Sequence, residues 1–184
     1  MNISKVAKRY ANSLLENSIE KGILENVSKD VEFILHTLEI SSELKRFLSS
    51  PVIKSDLKKS ILKEIFENRI SHFTSDFLNF VVDKKREDIL LNILEKFIEL
   101  KDDYQGIVRL EIKSAFALDD NLSKLIIKKF EEIFNKKVEA KFILDVNLLG
   151  GFVARYKDTV YDASIIHQLE KLKNNLISGT ISLN

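Results

Sequence analysis

The chain contains no cysteine, one proline and only five glycines in 184 residues. The absence of cysteine excludes disulfide bonds, thiol catalysis and thiolate metal sites. So few residues that interrupt regular structure predict long elements, most of them helical. Hydrophobic residues make up 45% and charged residues 31% of the sequence, so the chain can bury a core and keep a polar surface.

Charge and hydropathy argue against several further classes of protein. The formal net charge is +1, so no global electrostatic field favours nucleic acid as a partner. No apolar run approaches the ~20 residues that a membrane span needs. Residues 1–18 lack a continuous apolar segment and carry acidic residues soon after basic ones, which predicts a helix of the mature chain rather than a signal peptide. Any membrane association is therefore expected to come through a partner.

The first 105 residues show the apolar spacing of helices. Six segments have it, at residues 3–21, 24–40, 42–48, 55–66, 71–85 and 86–100. Ser41 or Ser42 is expected to cap the third helix, and Ser55 the fourth. The connections are short, which predicts an antiparallel six-helix bundle.

The pattern changes after residue 105, where apolar and charged residues begin to alternate as in a half-buried strand. The predicted elements are strands at 106–116, 138–146, 151–156 and 159–163, helices at 119–137 and 164–177, and a turn at 157–158. The expected fold class is therefore α+β. A helical bundle at 1–105 would be followed at 106–184 by a small domain with a short β-sheet and two helices.

Two of the glycines, Gly150 and Gly151, are adjacent. A phosphate-binding loop would need a Lys-Ser/Thr pair or Rossmann spacing with a helix behind it, whereas here a strand is predicted to follow. The pattern favours a bulge or a close approach of the backbone over a phosphate site. Asp162 and Ser164 are expected to fix the start of the last helix.

No group of residues forms a recognisable catalytic constellation. His36, His72 and His167 each stand alone on a predicted helix, without a second ligand at metal-binding spacing. The charged segment 83–88 is flanked by acids and lacks aromatic residues, which favours a solvated corner over a nucleic-acid site. We therefore expect no enzymatic activity, no metal and no cofactor.

The first and fifth helices carry wide apolar arcs, of roughly 220° and about 200°, where a two-layer bundle needs little more than ~100°. One explanation is that these helices are covered on several sides, as the similarly wide sixth helix would be. The other is an exposed groove that takes an amphipathic helix from another protein. Periodicity leaves both explanations open.

Two stretches resemble a known family. Residues 7–34, AKRYANSLLENSIEKGILENVSKDVEFI, are similar to the opening Arg-Tyr-Ala-x-Ala-Leu helix and the next helix of the bacterial F-type ATP synthase delta subunit, a relative of the mitochondrial oligomycin-sensitivity-conferring protein. Residues 145–176, DVNLLGGFVARYKDTVYDASIIHQLEKLKNNL, resemble its Asp-x-x-Leu-x-Gly-Gly … Asp-Gly-Ser … Leu-x-x-Leu signature. Residues 47–66, FLSSPVIKSDLKKSILKEIF, match weakly between them.

The chain departs from the family pattern at four positions. Ser13 replaces a small Ala, Ala163 stands where Gly is common, and Ile166 and His167 stand where the family usually has Arg and Gly. If that Arg contacts a partner in relatives, the contact is missing here.

The resemblance implies a stator subunit that has no catalytic residues and resists rotational torque. Its helical domain would bind the N-terminal helix of an alpha subunit of the catalytic head, in a groove between the first and fifth helices. The groove positions carried over are Val6, Tyr10, Ser13, Leu14, Asn17, Phe77, Phe80 and Val81. The C-terminal domain would bind the C-terminal end of the b-subunit peripheral stalk. The positions with a binding or structural role there are Leu148, Gly150, Gly151, Asp162, Ser164, Leu169, Leu172 and Leu176.

The resemblance further implies a monomer within a hetero-oligomeric complex, placed peripherally on the cytoplasmic side of the inner cell membrane. It would not insert into the membrane, bind nucleic acid or carry a cofactor. The alternative function is a stand-alone helical adaptor that binds an amphipathic partner helix. An enzyme with a phosphate site at the glycine pair is a further and less favoured alternative.

Overall fold

The structure is a computed structural model that describes residues 3–157 and 159–177, except for the side chain of Ile177. The helices in this part of the chain are α1 (Ile3–Glu20), α2 (Leu24–Ile40), α3 (Ser42–Ser49), α4 (Ser55–Phe66), α5 (His72–Asp83), α6 (Leu90–Gln105), α7 (Asp120–Phe134) and α8 (Ile165–Ile177). The strands are β1 (Ile107–Ser114), β2 (Lys137–Leu144), β3 (Phe152–Tyr156) and β4 (Thr159–Asp162). The predicted α+β class is confirmed.

The chain divides into two compact units, Met1–Lys101 and Asp102–Asn184. Helix α6 begins in the first unit, and its last residues belong to the second. A functional division after residue 105 stays a prediction.

The core of the first unit is mostly apolar. Helix α6 contributes Leu90, Ile93, Leu94 and Phe97, which are almost completely buried. The wide apolar arc of the sixth helix is thus explained by coverage from several sides. Helix α2 contributes Val27, Val31 and Ile34 to the same core.

Of the two helix caps predicted for this unit, the structure contains one. Ser41 caps α3, since its hydroxyl accepts a hydrogen bond of 3.1 Å from the Leu44 N–H. The prediction for Ser55 is wrong. The carbonyl oxygen of Lys54 already accepts from the N–H groups of Leu57 and Lys58. Lys54 is therefore the capping residue and Ser55 is the first residue inside α4.

One buried ion pair fixes the corner between α5 and α6. The ammonium group of Lys58, only 2% exposed, lies 2.6 Å from the Glu87 carboxylate. It also donates to the Leu48 carbonyl oxygen at the end of α3. A 3-10 turn at Glu87–Ile89 precedes α6, so this single lysine joins α3 and α4 to the turn from which α6 starts.

The second unit is built on a four-stranded sheet with the order β2-β1-β3-β4. Strands β1 and β2 run parallel and are connected through α7, whereas β3 pairs antiparallel with both β1 and β4. Val108, Leu110 and Ile112 are buried while Arg109 is exposed, which confirms the alternation predicted for β1. Helix α7 covers the apolar face of the sheet.

Aromatic rings hold α7 against β3 and β4. The ring of Phe130 lies 5.6 Å from Tyr161 and 6.4 Å from Phe152, both edge-on. Phe134 packs 5.1 Å from Tyr156. Such edge-to-face pairs add to the free energy of burial. The buried core of the second unit is therefore built from residues of the sheet and α7, and none of the α8 side chains that the structure describes (residues 165–176) belongs to it.

Candidate partner-binding surfaces

A groove of about 300 Å³ lies between α1 and α5. The residues that line it are Ser13, Leu14, Asn17, Lys21, Phe73, Asp76, Phe77 and Phe80. The two helices run antiparallel along it. Tyr10 in the middle of α1 meets Phe80 near the end of α5, with ring centroids 5.9 Å apart, whereas Lys21 just after α1 meets Phe73 near the start of α5. The groove extends from Phe73 to Phe80, which is about two helical turns.

The wall formed by α5 is aromatic, and its two ends are basic. Phe80 is 47% exposed, and the Lys84 ammonium lies 5.5 Å from its ring centroid. At the other end, the Lys21 ammonium lies 4.8 Å from the Phe73 centroid. An exposed ring beside partly buried ones gives a surface that an apolar helix face can cover.

The predicted groove residues divide into a surface set and a core set. Val6, Leu14 and Val81 are buried, and of these only Leu14 reaches the floor of the groove. Tyr10 and Phe77 are half-buried, and Ser13 and Asn17 are exposed. The Asn17 side-chain amide donates to the Ser13 carbonyl oxygen at 2.6 Å, so the polar rim on α1 is held in place.

Sequence reasoning missed three residues of the groove, Lys21, Phe73 and Asp76. Phe73 lies one helical turn before Phe77, so its position could have been found from the spacing alone. Lys21 lies in the turn after α1 and Asp76 lies on α5, and only the folded structure brings these two polar residues to one surface.

The glycine pair lies where the sheet meets α8. Gly151 has φ +78°, and a Cβ atom placed on it would lie 2.3 Å from the Ala163 carbonyl oxygen. A Cβ on Gly150 would meet the Ile165 side chain at 2.4 Å. The Gly150 carbonyl oxygen accepts from the Ile165 N–H at 3.0 Å. The close backbone approach predicted for the pair is confirmed.

Two side chains fix the start of α8, as predicted. The Ser164 hydroxyl accepts from the His167 N–H at 3.2 Å, and the Asp162 carboxylate accepts from the Ser164 N–H at 2.9 Å. Hydrogen bonds from the side chain and the backbone of Ser164 hold the pKa of Asp162 below its usual range. Asp162 is therefore ionised at neutral pH and stabilises this helix start.

Helix α8 carries an exposed apolar stripe. The stripe consists of Ile165, Leu169, Leu172 and Leu176, which are 45–58% exposed. Their spacing of four, three and four residues places them on one face of the helix. We call these four residues the α8 stripe. Leu149, beside the glycine pair, is 75% exposed, whereas the predicted Leu148 is half-buried.

Over residues 3–157 and 159–177, no group of three His, Asp or Glu side chains could hold a metal ion. The same part of the chain has no helix with the length and hydropathy of a membrane span. His72 is used locally, with Nδ1 2.8 Å from the Asp76 carboxylate. The groove and the α8 stripe are exposed apolar surfaces of the kind that a protein partner can cover.

A sequence profile of the ATP synthase delta (OSCP) subunit matches residues 6–176. The matched span contains both the groove and the α8 stripe. The chain belongs to the ATP synthase delta (OSCP) family.

Relatives of this delta (OSCP) chain match it over nearly its whole length. A protein named ATP synthase subunit delta from Chlorobaculum tepidum is 38% identical over 178 residues, which cover 97% of this chain and 98% of the relative. Another of that name, from Salinibacter ruber, is 36% identical and covers 97% of this chain. A chain in the cryo-EM structure of the Toxoplasma gondii mitochondrial ATP synthase hexamer has the same fold, with a TM-score of 0.71, 21% identity and coverage of 93% and 97%.

The departures of this delta (OSCP) chain from the family pattern lie at the rim of the groove and around the start of α8. Ser13 is exposed on the rim of the groove and accepts the Asn17 amide. The N–H of Ala163 donates to the Phe152 carbonyl oxygen at 2.9 Å, which ties the segment before α8 to β3. Ile166 is half-buried, and His167 is exposed.

Proposed function

We propose that the chain is the stator subunit of a proton-translocating F-type ATP synthase, with no catalytic role of its own. It would connect an alpha subunit of the catalytic head to the b-subunit peripheral stalk. The observation that supports this most is that each of the two units carries its own exposed apolar surface. A chain with one partner would need only one such surface.

The groove fits the N-terminal helix of an alpha subunit. It is about two turns long, so it suits a single amphipathic helix with apolar residues at i, i+3, i+4 and i+7. Phe80 and Phe77 would be the central anchors, since buried aromatic residues dominate many interfaces. Tyr10, Ser13, Asn17 and the floor residue Leu14 would complete the contact from α1. Val6 and Val81 would support the groove from the core.

The α8 stripe fits the C-terminal end of a b subunit. A stripe with heptad spacing pairs with a second helix by side-chain interdigitation. Gly150, Gly151, Asp162 and Ser164 would hold α8 in position, and Leu169, Leu172 and Leu176 would make the contact. In this proposal residues 1–105 serve the head and residues 106–184 serve the stalk.

The mechanism is mechanical. Rotation of the central shaft loads the head with torque, and a tether must hold the head without reacting chemically. Such a tether needs slow dissociation. Two binding surfaces on one chain supply it, because release of one partner leaves the other bound at high effective concentration. The chain would act as a monomer in the complex, on the cytoplasmic side of the inner membrane, held there through its partners.

The test is calorimetric titration of the full chain with two peptides from the same organism, one from the alpha N-terminus and one from the b C-terminus. We expect one-to-one binding of each. Phe80→Asp should weaken binding of the alpha peptide by about 30-fold, because one interface anchor is lost. Binding of the b peptide should stay unchanged. Phe116→Asp is the matched control, because Phe116 is an equally exposed phenylalanine in the second unit.

The outcomes separate the candidate functions. If a well-folded chain binds neither peptide, the stator function is wrong. If it binds unrelated amphipathic helices as tightly as the alpha peptide, the helical adaptor becomes the better account. If Phe116→Asp weakens the alpha peptide as much as Phe80→Asp, the groove is not the site.

A further inference from the structure

Helix α5 is capped by a carboxylate that comes from another helix. The Asp30 Oδ2 atom, on α2, accepts hydrogen bonds from the Ser71 N–H at 2.9 Å and the Ser71 hydroxyl at 2.6 Å. It accepts a third, of 2.7 Å, from the Thr74 hydroxyl. Thr74 is fully buried. A negative charge at the N-terminus of a helix is favourable, and hydrogen bonds to an ionised acceptor are the stronger kind.

Ser71 passes this interaction on to the helix. Its hydroxyl oxygen accepts from the Thr74 N–H at 3.3 Å, which makes Ser71 the capping residue of α5. The same hydroxyl donates its proton to Asp30. The first turn of α5 is therefore fixed to one atom of α2.

The position of this contact matters for the groove. Helix α2 packs against both α1 and α5, so it is the common support of the two groove walls. Phe73 is two residues from Ser71, and Phe77 and Phe80 follow on the same helix. At the opposite end of the groove, the Tyr10 and Phe80 rings meet with their centroids 5.9 Å apart. The polar anchor thus lies at one end and the softer ring contact at the other.

We infer that Asp30 is a positioning residue for partner binding: it sets where α5 lies relative to α1 and so the width of the groove. It does not touch the partner helix. This inference rests on the proposed function, since it assigns a role within the same site.

The experiment measures affinity for the alpha N-terminal peptide with the full chain and its variants. Asp30→Ala should bind about tenfold more weakly, because three hydrogen bonds to a charged acceptor are lost and the buried Thr74 hydroxyl keeps only its contact with the Ser71 hydroxyl. Asp30→Asn keeps an acceptor oxygen and should restore part of the affinity. Thr74→Val removes one donor at constant shape and should cost about threefold. Amide hydrogen exchange at residues 72–76 should quicken in the same order.

The matched control is Ser41→Ala, which removes the cap of α3 in the same unit but does not touch α5. It should lower the melting temperature without changing peptide affinity at 25 °C. If Asp30→Ala and Ser41→Ala bind the alpha peptide with equal affinity, the inference about Asp30 is wrong, but the proposed function is not affected. Absence of binding by the unsubstituted chain would overturn the proposed function and, with it, this role of Asp30. If Asp30→Ala does not fold, Thr74→Val and Asp30→Asn decide the matter by the same comparison.

Discussion

Helix α1 has a wide apolar face that is largely buried, whereas α8 has a narrow apolar face that is exposed. The apolar arc of α1 covers more than half of its circumference, yet Leu14 is 2% exposed. The α8 stripe is narrow, yet Leu172 is 54% exposed. Sequence periodicity reports which side of a helix is apolar. Whether that side is buried depends on how many neighbouring elements are available to cover it.

The two units supply those neighbours unequally. In the first, α1 shares one core with residues of α2 and α6, and the strip beside α5 stays open. In the second unit, the apolar faces of the sheet and α7 are buried against each other, and the α8 stripe stays exposed. Apolar faces left open in this way fit the partner-binding role proposed for them.

The same substitution at the two faces gives the sharpest test. Leu14→Asp should destabilise the chain by roughly 4 kcal/mol or more, because it removes buried methyl groups and buries a charge. Leu172→Asp should change the free energy of unfolding by less than about 0.5 kcal/mol. Chemical denaturation of both variants measures the difference. A large loss of stability in Leu172→Asp would show that the stripe is covered within the chain, and the comparison would fail.

Gly151→Val should have the next largest effect. Valine at φ +78° would be strained, and its Cβ would lie 2.3 Å from a carbonyl oxygen, so we expect a loss of about 3 kcal/mol in the second unit. Amide exchange at β1 and β3 would report it. The affinity of the groove for the alpha peptide should stay unchanged. Normal protection of the sheet together with normal binding of the b peptide would contradict the role assigned to this glycine.

Binding to the stalk offers a third test. Leu172→Asp should weaken the binding free energy of the b peptide by about 2 kcal/mol, because an interface anchor is lost. The alpha peptide should bind as before. Lys171→Asp is the control, because it introduces a larger change of charge on the same helix but outside the stripe. If both variants lose the same affinity, charge rather than the stripe governs binding, and α8 is not a helix-pairing surface.

Gly150→Ala should be milder than Gly151→Val. The added methyl group meets the end of the Ile165 side chain, which can change rotamer, so we expect a loss of about 1 kcal/mol. The double variant Gly150→Ala, Ile165→Val frees space and should recover part of that loss in a denaturation experiment. No recovery would mean that the backbone at residue 150, and not this contact, requires glycine.

The smallest effect is a dependence on pH at the start of α8. The pKa of Asp162 is lower in the folded chain than in the unfolded one, through its hydrogen bonds with Ser164. Its stabilising contribution is therefore present above the unfolded pKa and is lost as the pH falls through the folded pKa. Because the carboxylate is exposed, the effect should be small. NMR shifts at residues 165–167 should change below about pH 4 in the unsubstituted chain and not in Asp162→Asn.

Much of this fold could be predicted from the sequence because local rules agree with tertiary packing. The alternation in residues 107–112 and the cap formed by Asp162 and Ser164 are local patterns, and both are confirmed. The close approach at Gly151 was also predictable, since adjacent glycines in a glycine-poor chain point to a backbone constraint. The failure at Ser55 concerns a single residue at a helix boundary, where such predictions are least precise.

The surfaces were harder to predict because they depend on three-dimensional coverage. Val81 and Phe80 are neighbours on an apolar arc, but one is buried and the other is half-exposed. Helical spacing cannot separate them without the positions of the helices that pack against α5. The Asp30 contact joins residues about 40 positions apart, and no local pattern indicates it. The family resemblance directed attention to α1 and α5, and a groove lies between them. Binding of a partner in that groove stays a prediction.

The open stripe on α8 also bears on how long a free chain survives. A 13-residue helix is marginal in water unless its apolar face is packed, so α8 should fray readily before its partner arrives. Frayed helices are cleaved in proportion to the time they spend open. Limited proteolysis should then cut within α8 first, and the b peptide should protect it. Chains made in excess of the stalk would be the first to be degraded, which would match the supply of this subunit to the number of complexes being built.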